Sequence, residues 1–278
     1  MITATASSNV FPSARTAEAA DAADDCAESL LATAGYCDFE DYWRSPSEFV
    51  EPMNVRRNGW SAVSLLSVPD AQGRESRFYL KRQENQLRYS WRHPIGALTY
   101  QYEVEAFQKA DCFKLPTAEL ITYGFRRNGA TRRGIVVTRE IALPALSDFQ
   151  NVATDWPALL PALRNAGREL LRLHLCDWQH GALYPSHIFI DPSNGRIRLI
   201  DFERARRACA CKAAEADLLQ FLKRADWIPD VALAALLEAY RLRMPGLLHR
   251  LGERFPHRSL LLQEPSQIKK NSERENNE

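Results

Sequence analysis

The sequence has no long apolar run, no C-x-x-C cysteine pair and no excess of charge of one sign. No uninterrupted apolar segment approaches the ~20 residues that a membrane-spanning helix requires. The formal net charge is +1 over 278 residues, which favours neither a nucleic-acid binder nor an acidic scaffold. The six cysteines form no C-x-x-C pair, and no basic segment precedes an apolar one at the N-terminus. We therefore expect a cytoplasmic protein with reduced thiols and no secretory signal.

The composition divides the chain into two polar ends and a folded middle. Residues 1–28 and 263–278 contain few large apolar groups, and both are predicted to be disordered because they cannot offset the entropy of ordering. Residues 39–140 show a mainly β pattern, interrupted by one predicted helix at Ala97–Lys109. Residues 141–260 show a mainly helical pattern that begins with leucines at helical spacing. An N-lobe and a C-lobe are expected in these two ranges.

Two β-hairpins are predicted in the first of these ranges. One joins Trp60–Val68 to Arg77–Arg82 through a Pro-Asp-Ala-Gln-Gly connection. The other joins Glu119–Phe125 to Gly134–Ile141 around an Asn-Gly turn. In the second range, helices are predicted at Asp155–Cys176, Ala213–Ala225 and Pro229–Leu242.

The most informative segment is a third predicted hairpin. Apolar strands at His187–Asp191 and Arg196–Ile200 flank a Pro-Ser-Asn-Gly turn. A His-Gly pair at His180 enters the hairpin, and an Asp-Phe pair at Asp201 leaves it. This is the layout of kinase-like phosphotransferases, in which H-x-D-x-x-x-x-N precedes a hairpin and D-F-G follows it. Here His180 is the predicted scaffold of the catalytic loop.

Phosphoryl transfer mainly requires positioning and charge neutralisation by the protein. Gly59 and Ser61 open a strand, where a glycine would let the backbone approach a phosphate and a hydroxyl would bind it; a plain turn is the alternative. Lys81 ends an apolar strand and is the candidate cation, unless it is an exposed strand-end lysine. Glu103 on the following helix is its preferred ion-pair partner, with Glu105 as the competing candidate.

The candidate metal ligands are Asp201 and His187. Asp201 directly follows an apolar strand, where a carboxylate is a suitable ligand for Mg²⁺. His187 takes the position usually held by asparagine, and a neutral imidazole can bind a metal or donate to a phosphate. Nitrogen suits Mg²⁺ less well than oxygen does, so a buried structural histidine is the alternative for His187.

These motifs together resemble the lipopolysaccharide kinase (Kdo/WaaP) family, most closely its InaA-type branch. The resemblance covers about Val55 to Leu222, and its most specific part is the H-G-x-L-Y-P-x-H-I-F pattern. The matching stretches are N-G-W-S at Asn58–Ser61, F-Y-L-K ending at Lys81, L-T-Y-Q-Y-E ending at Glu103, L-P-T at Leu115–Thr117, H-G-A-L-Y-P-S-H-I-F-I-D from His180, and L-I-D-F-E-R-A-R from Leu199.

The resemblance implies an α+β, bilobal protein-kinase-like fold with a mainly antiparallel N-lobe carrying one helix and a helical C-lobe holding the catalytic-loop hairpin. It also implies ATP-dependent phosphorylation of lipopolysaccharide core sugars, with ATP and Mg²⁺ as cofactors. By carry-over, Lys81 and Glu103 form the ATP-positioning ion pair, while His187 and Asp201 face the metal. Asp217 would anchor the backbone of the catalytic loop.

Two positions depart from the family pattern. Ala182 stands where active members carry the aspartate that accepts the hydroxyl proton of the acceptor, and a methyl group cannot do this. General-base assistance is commonly worth ~10²–10⁴-fold in rate. Glu203 replaces the glycine of D-F-G and stiffens that loop. Too little predicted helix follows Arg207 for a protein kinase, so no protein substrate is expected.

Three functional hypotheses remain open at this stage. The chain is an ATP-dependent kinase of a lipopolysaccharide or related glycolipid sugar, a pseudokinase that binds nucleotide or a sugar phosphate as a regulatory module, or a non-catalytic stress-associated protein. The expected partner is a small-molecule or glycolipid acceptor, with no nucleic acid. Basic residues near the motifs would hold phosphates or contact the anionic surface of the inner membrane, or would form a solvated face: Arg56, Arg57, Arg204, Arg206 and Arg207.

Overall fold

The computed structural model describes residues 27–56, 58–70, 72–90, 93–151, 154–193 and 195–258. The predicted disordered ends lie outside these ranges, except for residues 27 and 28. Contacts between residues divide the chain into two compact units, Met1–Val104 with Glu119–Glu140 and Glu105–Ala118 with Ile141–Glu278. Among the described residues, no helix has the length and apolar character needed to cross a membrane.

The first unit is built on a five-stranded antiparallel sheet and a separate two-stranded hairpin. The strands are β1 (Asn54–Arg56), β2 (Gly59–Pro69), β3 (Glu75–Glu84), β4 (Leu87–Ser90), β5 (His93–Leu98), β6 (Leu120–Asn128) and β7 (Thr131–Arg139). The sheet has the order β1-β2-β3-β7-β6, and β4 pairs with β5. The two hairpins predicted for this part of the sequence are therefore β2–β3 and β6–β7.

Three helices accompany these strands: α1 (Ala27–Thr33), α2 (Phe39–Trp43) and α3 (Thr99–Cys112), of which α3 belongs to this unit as far as Val104. The start of α3 differs from the predicted helix start at Ala97. Ala97 and Leu98 belong to β5, where they pair with Arg88 and Leu87 of β4. Strand pairing therefore delays the helix by two residues, and Thr99 is its first residue.

The two faces of the sheet have different coverings. Phe78 and Leu80 are alternate residues of β3, so they lie on one face, and both are fully buried in the cluster that contains Leu31 of α1 and Phe39 of α2. On the other face, Val136 of β7 packs against Tyr100 and Val104 of α3. Lys81 lies opposite Val136 in the sheet register, so its side chain is on the face that α3 covers.

The second unit is mainly helical and contains short strand pairs. Its helices are α4 (Trp156–Leu175), α5 (Ala210–Leu222), α6 (Asp230–Arg243) and α7 (Pro245–Arg254), and its strands are β8 (Trp178–Gln179), β9 (Ile188–Ile190), β10 (Ile197–Leu199) and β11 (Arg206–Arg207). Single turns of 3₁₀ helix occur at Pro185–His187, Phe202–Arg204 and Pro256–Arg258, and a longer one spans Leu146–Asn151. The predicted hairpin is β9–β10, and β8 pairs with β11.

Helix α4 is the buried centre of this unit. Its N-terminus is capped by the carboxylate of Asp155, which accepts the backbone N–H of Ala158 at 3.4 Å. Leu163, Ala166 and Leu170 are fully buried, as their helical spacing predicts. Gly167 lies on the same face, where a Cβ atom would overlap the backbone carbonyl of Leu236 in α6. The two helices therefore approach each other more closely than any side chain at position 167 would permit.

We expect Gly167→Ala to destabilise the protein by about 2–3 kcal/mol, because the added methyl group must push α4 away from α6. Gly246→Ala is the matched control, since that glycine is also helical and its added Cβ would meet only Arg250 Nη1 at 3.7 Å. The control should be neutral or stabilising by up to about 1 kcal/mol. Urea unfolding of the three proteins measures the difference; equal stability of both variants would contradict the close helix contact.

Candidate functional site

In the first unit, a buried ion pair joins the sheet to α3. Lys81 Nζ on β3 lies 2.5 Å from Glu103 Oε1, and the Glu103 side chain is fully buried while that of Lys81 is 19% exposed. The Lys81 ammonium also lies 5.9 Å from the centre of the Tyr100 ring. Because a buried carboxylate is costly without a cationic partner, this pair fixes α3 on the sheet. The predicted contact is present, and its role toward phosphate stays a prediction.

Gly59 and Ser61 lie at the beginning of β2 rather than in a free loop. A Cβ atom at Gly59 would overlap the backbone of Glu84 and Asn85, so packing against the end of β3 accounts for this glycine. Ser61 is 8% exposed and pairs with Gln83 of β3 in the sheet register. The predicted phosphate contact of both residues therefore stays a prediction, and the structure supplies a separate reason for the glycine.

In the second unit, Asp217 anchors the loop that contains His180. The backbone N–H groups of His180 and Gly181 each donate to the Asp217 carboxylate, at 2.6 Å and 2.8 Å respectively. Asp217 lies on α5 and is fully buried. Gly181 has φ of 79°, and a Cβ there would lie 2.5 Å from the carbonyl oxygen of Arg204, so only glycine fits this turn. The structural role that the family resemblance implies for Asp217 is therefore present.

Two residues that the sequence analysis missed extend this anchor. His174 Nε2–H donates to Asp217 Oδ2 at 3.0 Å, and the Tyr240 hydroxyl donates to His174 Nδ1 at 2.7 Å. All three side chains are fully buried, and burial raises the pKa of Tyr240 well above its usual value, with the Asp217 charge adding to it. The available signal was a polar residue on the apolar face of each of two helices, α4 and α6.

The His180 ring connects the loop to the strand that precedes Asp201. Its Nε2–H donates to the carbonyl of Ile200 at 3.0 Å, while Nδ1 accepts the N–H of Ala182 at 3.3 Å. This pattern requires the neutral ring, and the ring packs against Phe202 at 4.5 Å between centroids. Burial lowers the pKa of His180 and outweighs the neighbouring Asp217 charge, which acts in the opposite direction.

His187 and Asp201 lie together at the open end of the β9–β10 hairpin. Asp201 follows β10 with φ of 64°, and His187 precedes β9. The distance from His187 Nε2 to Asp201 Oδ2 is 3.6 Å. His187 Nδ1 lies 2.7 Å from the Ala182 carbonyl, so it must carry the proton, because a carbonyl oxygen only accepts. In the neutral ring the Nε2 lone pair can then bind a cation beside the Asp201 carboxylate.

These two side chains fit a cation that arrives with a nucleotide. Among the described residues, no group of three or more His, Cys, Asp or Glu side chains could hold a metal by itself. Nucleotide-bound Mg²⁺ is usually held by one or two protein ligands, with phosphates and water completing its coordination. His187 and Asp201 supply a number of ligands that matches this arrangement.

A buried methyl group fills the position at which the family resemblance implies a catalytic aspartate. Ala182 is 1% exposed. Asp177, the nearby carboxylate that could replace it, has its Oδ1 atom bonded to the N–H of Ala210 at 3.1 Å, at the start of α5. Asp177 also accepts the N–H of Ala208 on its backbone carbonyl. The Asp177 carboxylate therefore bonds to the start of α5 through Oδ1.

Comparison with known proteins now connects this geometry to a family. The model of the lipopolysaccharide kinase (Kdo/WaaP) family matches residues 40–240. The chain belongs to this family. It is 26% identical over 210 residues to Protein InaA of Escherichia coli (strain K12), covering 72% of this chain and 94% of that protein.

A solved structure supports the same fold. "WaaP in complex with acyl carrier protein" matches with a TM-score of 0.54 at 20% identity, covering 79% of this chain and 92% of that one. The predicted α+β, protein-kinase-like fold is confirmed, and membership of the Kdo/WaaP family supports a kinase-like function.

The buried neutral His180 leads us to expect a loss of stability in acid. Its folded-state pKa lies below the ordinary value of 6.5, so the unfolded chain binds more protons as the pH falls through 6.5. The free energy of unfolding of the natural protein should therefore decrease between pH 7.5 and pH 5.5. In His180→Gln, whose amide can still donate to the Ile200 carbonyl, this decrease should be smaller. Urea unfolding at both pH values checks this, and an identical pH dependence would contradict it.

Proposed function

We propose that this protein binds ATP with a divalent cation and transfers the γ-phosphate to a sugar hydroxyl of lipopolysaccharide core or a related glycolipid. The observation that carries the proposal is the ion pair between Lys81 and Glu103. A lysine held on a strand by a buried glutamate is the arrangement that protein kinases use to position ATP phosphates. Membership of the Kdo/WaaP family supports the sugar or glycolipid as the class of acceptor.

The roles of the residues follow from their chemistry. Lys81 would neutralise phosphate charge, and Glu103 would keep its ammonium group in place. His187 and Asp201 would hold the divalent cation, which supplies further neutralisation of the phosphates when bound. The anchored backbone of His180 and Gly181 would keep the loop rigid, as positioning catalysis requires.

The transfer also requires a destination for the acceptor proton. The acceptor oxygen bonds to the γ-phosphorus as the bond to the ADP oxygen breaks, and the hydroxyl proton must leave. Ala182 cannot accept this proton, and the Asp177 carboxylate is bonded to the Ala210 amide. Water or a phosphate oxygen would have to receive it, so turnover should be slow.

Ala182 favours a second function, that of a pseudokinase. In this role the chain would bind nucleotide or a sugar phosphate and act as a regulatory or stress-associated module without efficient transfer. The same cationic and metal-binding residues serve binding in both functions, so only turnover separates them.

The proposed acceptor also determines the expected surroundings of the protein. A glycolipid acceptor is embedded in a membrane, so we propose a cytoplasmic protein with peripheral contact at the inner membrane. Three exposed residues, Arg204, Arg206 and Arg207, are candidates for phosphate or headgroup contacts. Arg57 lies outside the described residues.

Both functions require nucleotide binding, so a binding measurement separates them from a protein that binds no nucleotide. We expect Lys81→Met to weaken ATP binding by about tenfold or more, since one charge-assisted phosphate contact is lost. Lys212→Met, at an exposed lysine of α5, is the matched control and should bind as the natural protein does. Isothermal titration with ATP and a divalent cation gives the affinities.

A second variant separates a lost contact from a lost fold. Lys81→Met leaves Glu103 buried without its cation, whereas Lys81→Met combined with Glu103→Leu removes both charges. The double variant should be the more stable of the two and should still bind ATP weakly. Undiminished ATP binding by a folded double variant would exclude Lys81 from the nucleotide site.

The Ala182 position distinguishes the kinase from the pseudokinase. In a kinase that lacks only its base, Ala182→Asp should raise ATP turnover with a sugar acceptor by ~10²-fold or more. Ala182→Asn is the matched control, because it has the same shape and cannot accept the proton. Thermal unfolding of both variants shows whether the buried position tolerates the larger side chain. Background turnover in a folded Ala182→Asp variant would favour the pseudokinase.

A further inference from the structure

We infer that the cation held by His187 and Asp201 is a divalent ion of the first transition series, such as Mn²⁺ or Co²⁺, in preference to Mg²⁺. The inference rests on the proposed function, because it concerns the ion that accompanies the nucleotide. It differs from the usual expectation for a kinase, where Mg²⁺ is held by oxygen ligands alone.

The first argument is that the His187 ring is fixed in the form that binds a metal. Its Nδ1–H donates to the backbone carbonyl of Ala182 at 2.7 Å, so in the neutral ring the lone pair is on Nε2. Metal-binding histidines in proteins usually donate their other ring N–H to a carbonyl or carboxylate in this way. Because the acceptor is a backbone carbonyl, no side-chain movement is needed to prepare the ligand.

The second argument is that the ring is held in place by its neighbours. The His187 ring lies 5.0 Å from the Tyr184 ring and 6.3 Å from the His180 ring, between centroids. Tyr184 is itself contacted by Arg224, whose guanidinium lies 4.0 Å from the centre of the Tyr184 ring. The His187 side chain is only 17% exposed. A ligand that is already oriented loses little freedom when the ion binds.

The third argument is the distance between the two candidate ligand atoms. His187 Nε2 and Asp201 Oδ2 are 3.6 Å apart, which is too long for a direct hydrogen bond. Two ligands at about 2.1 Å from one ion, at angles of about 90–110°, lie roughly 3.0–3.4 Å apart. A movement of a few tenths of an ångström would bring both atoms to one cation.

The fourth argument is the chemistry of a mixed nitrogen and oxygen ligand pair. Imidazole nitrogen suits transition ions, whereas Mg²⁺ prefers oxygen and gives up its water reluctantly. Affinity for such sites rises from Mn²⁺ to Co²⁺ in the usual order of divalent metals. A nucleotide cation bound through His187 should therefore follow this order, with Mg²⁺ the weakest.

The test measures binding of a non-hydrolysable ATP analogue by isothermal titration, with Mg²⁺, Mn²⁺ or Co²⁺ at equal concentration. The natural protein should bind the analogue most tightly with Co²⁺, less tightly with Mn²⁺ and least tightly with Mg²⁺. In His187→Asn, which supplies an oxygen instead of a nitrogen ligand, affinity with Mn²⁺ and Co²⁺ should fall by about tenfold or more. Affinity with Mg²⁺ should change by less than about threefold, so that the preference disappears.

His249→Asn is the matched control. His249 Nε2 lies 3.6 Å from Glu253 Oε1, the same separation as in the candidate site, but both side chains are more than half exposed and lie on the surface of α7. This variant should keep the metal order of the natural protein. Thermal unfolding verifies that His187→Asn is folded, and His187→Gln provides a second substitution with an amide ligand.

The outcomes separate this inference from the proposed function. Equal affinity with all three ions, or a metal order unchanged in folded His187→Asn and His187→Gln, would overturn the metal preference while leaving nucleotide binding in place. Failure to bind the analogue with any ion would overturn the proposed function itself.

Discussion

The candidate catalytic loop depends on one buried carboxylate. Asp217 accepts the backbone N–H groups of two consecutive residues, His180 and Gly181, and the ring N–H of His174. A fully buried carboxylate is stable only when its oxygens are hydrogen-bonded, and three donors meet this requirement. The Asp217 carboxylate therefore fixes the backbone of the loop, and the N–H groups of that backbone stabilise the carboxylate in return. The His180 ring then donates a hydrogen bond to the carbonyl of Ile200, which directly precedes Asp201.

The first unit achieves the same rigidity by a different device. Strand β3 places apolar side chains on one face and Lys81 on the other, because successive residues of a strand alternate. The face with Lys81 is covered by α3, which brings the Glu103 carboxylate to the ammonium group. In each unit, a charged group that would be costly alone is kept in the interior by a partner on another element.

Much of this arrangement could be predicted from local patterns, and the rest required the folded chain. Lys81 and Glu103 could be paired because each lies on an element with a clear apolar period. The β4–β5 hairpin was missed although Leu87, Tyr89 and Trp91 alternate with polar residues, because the segment that follows contains a proline and a glycine and shows no such alternation. His174 and Tyr240 are distant in sequence, so their hydrogen bond depends on how α4 packs on α6. The packing reason for Gly59 could not be predicted, because its contact with Glu84 exists only in the sheet.

The bond between the His187 ring and the Ala182 carbonyl has a consequence for how this loop can change over evolution. The group that orients the candidate metal-binding ring belongs to the main chain, which every amino acid provides equally. Replacement of an aspartate at position 182 removes the proton acceptor without disturbing that bond. The proposed proton acceptor and the proposed support of the cation ligand thus depend on different atoms of one residue. A lineage can lose the first by a single substitution and retain the second indefinitely.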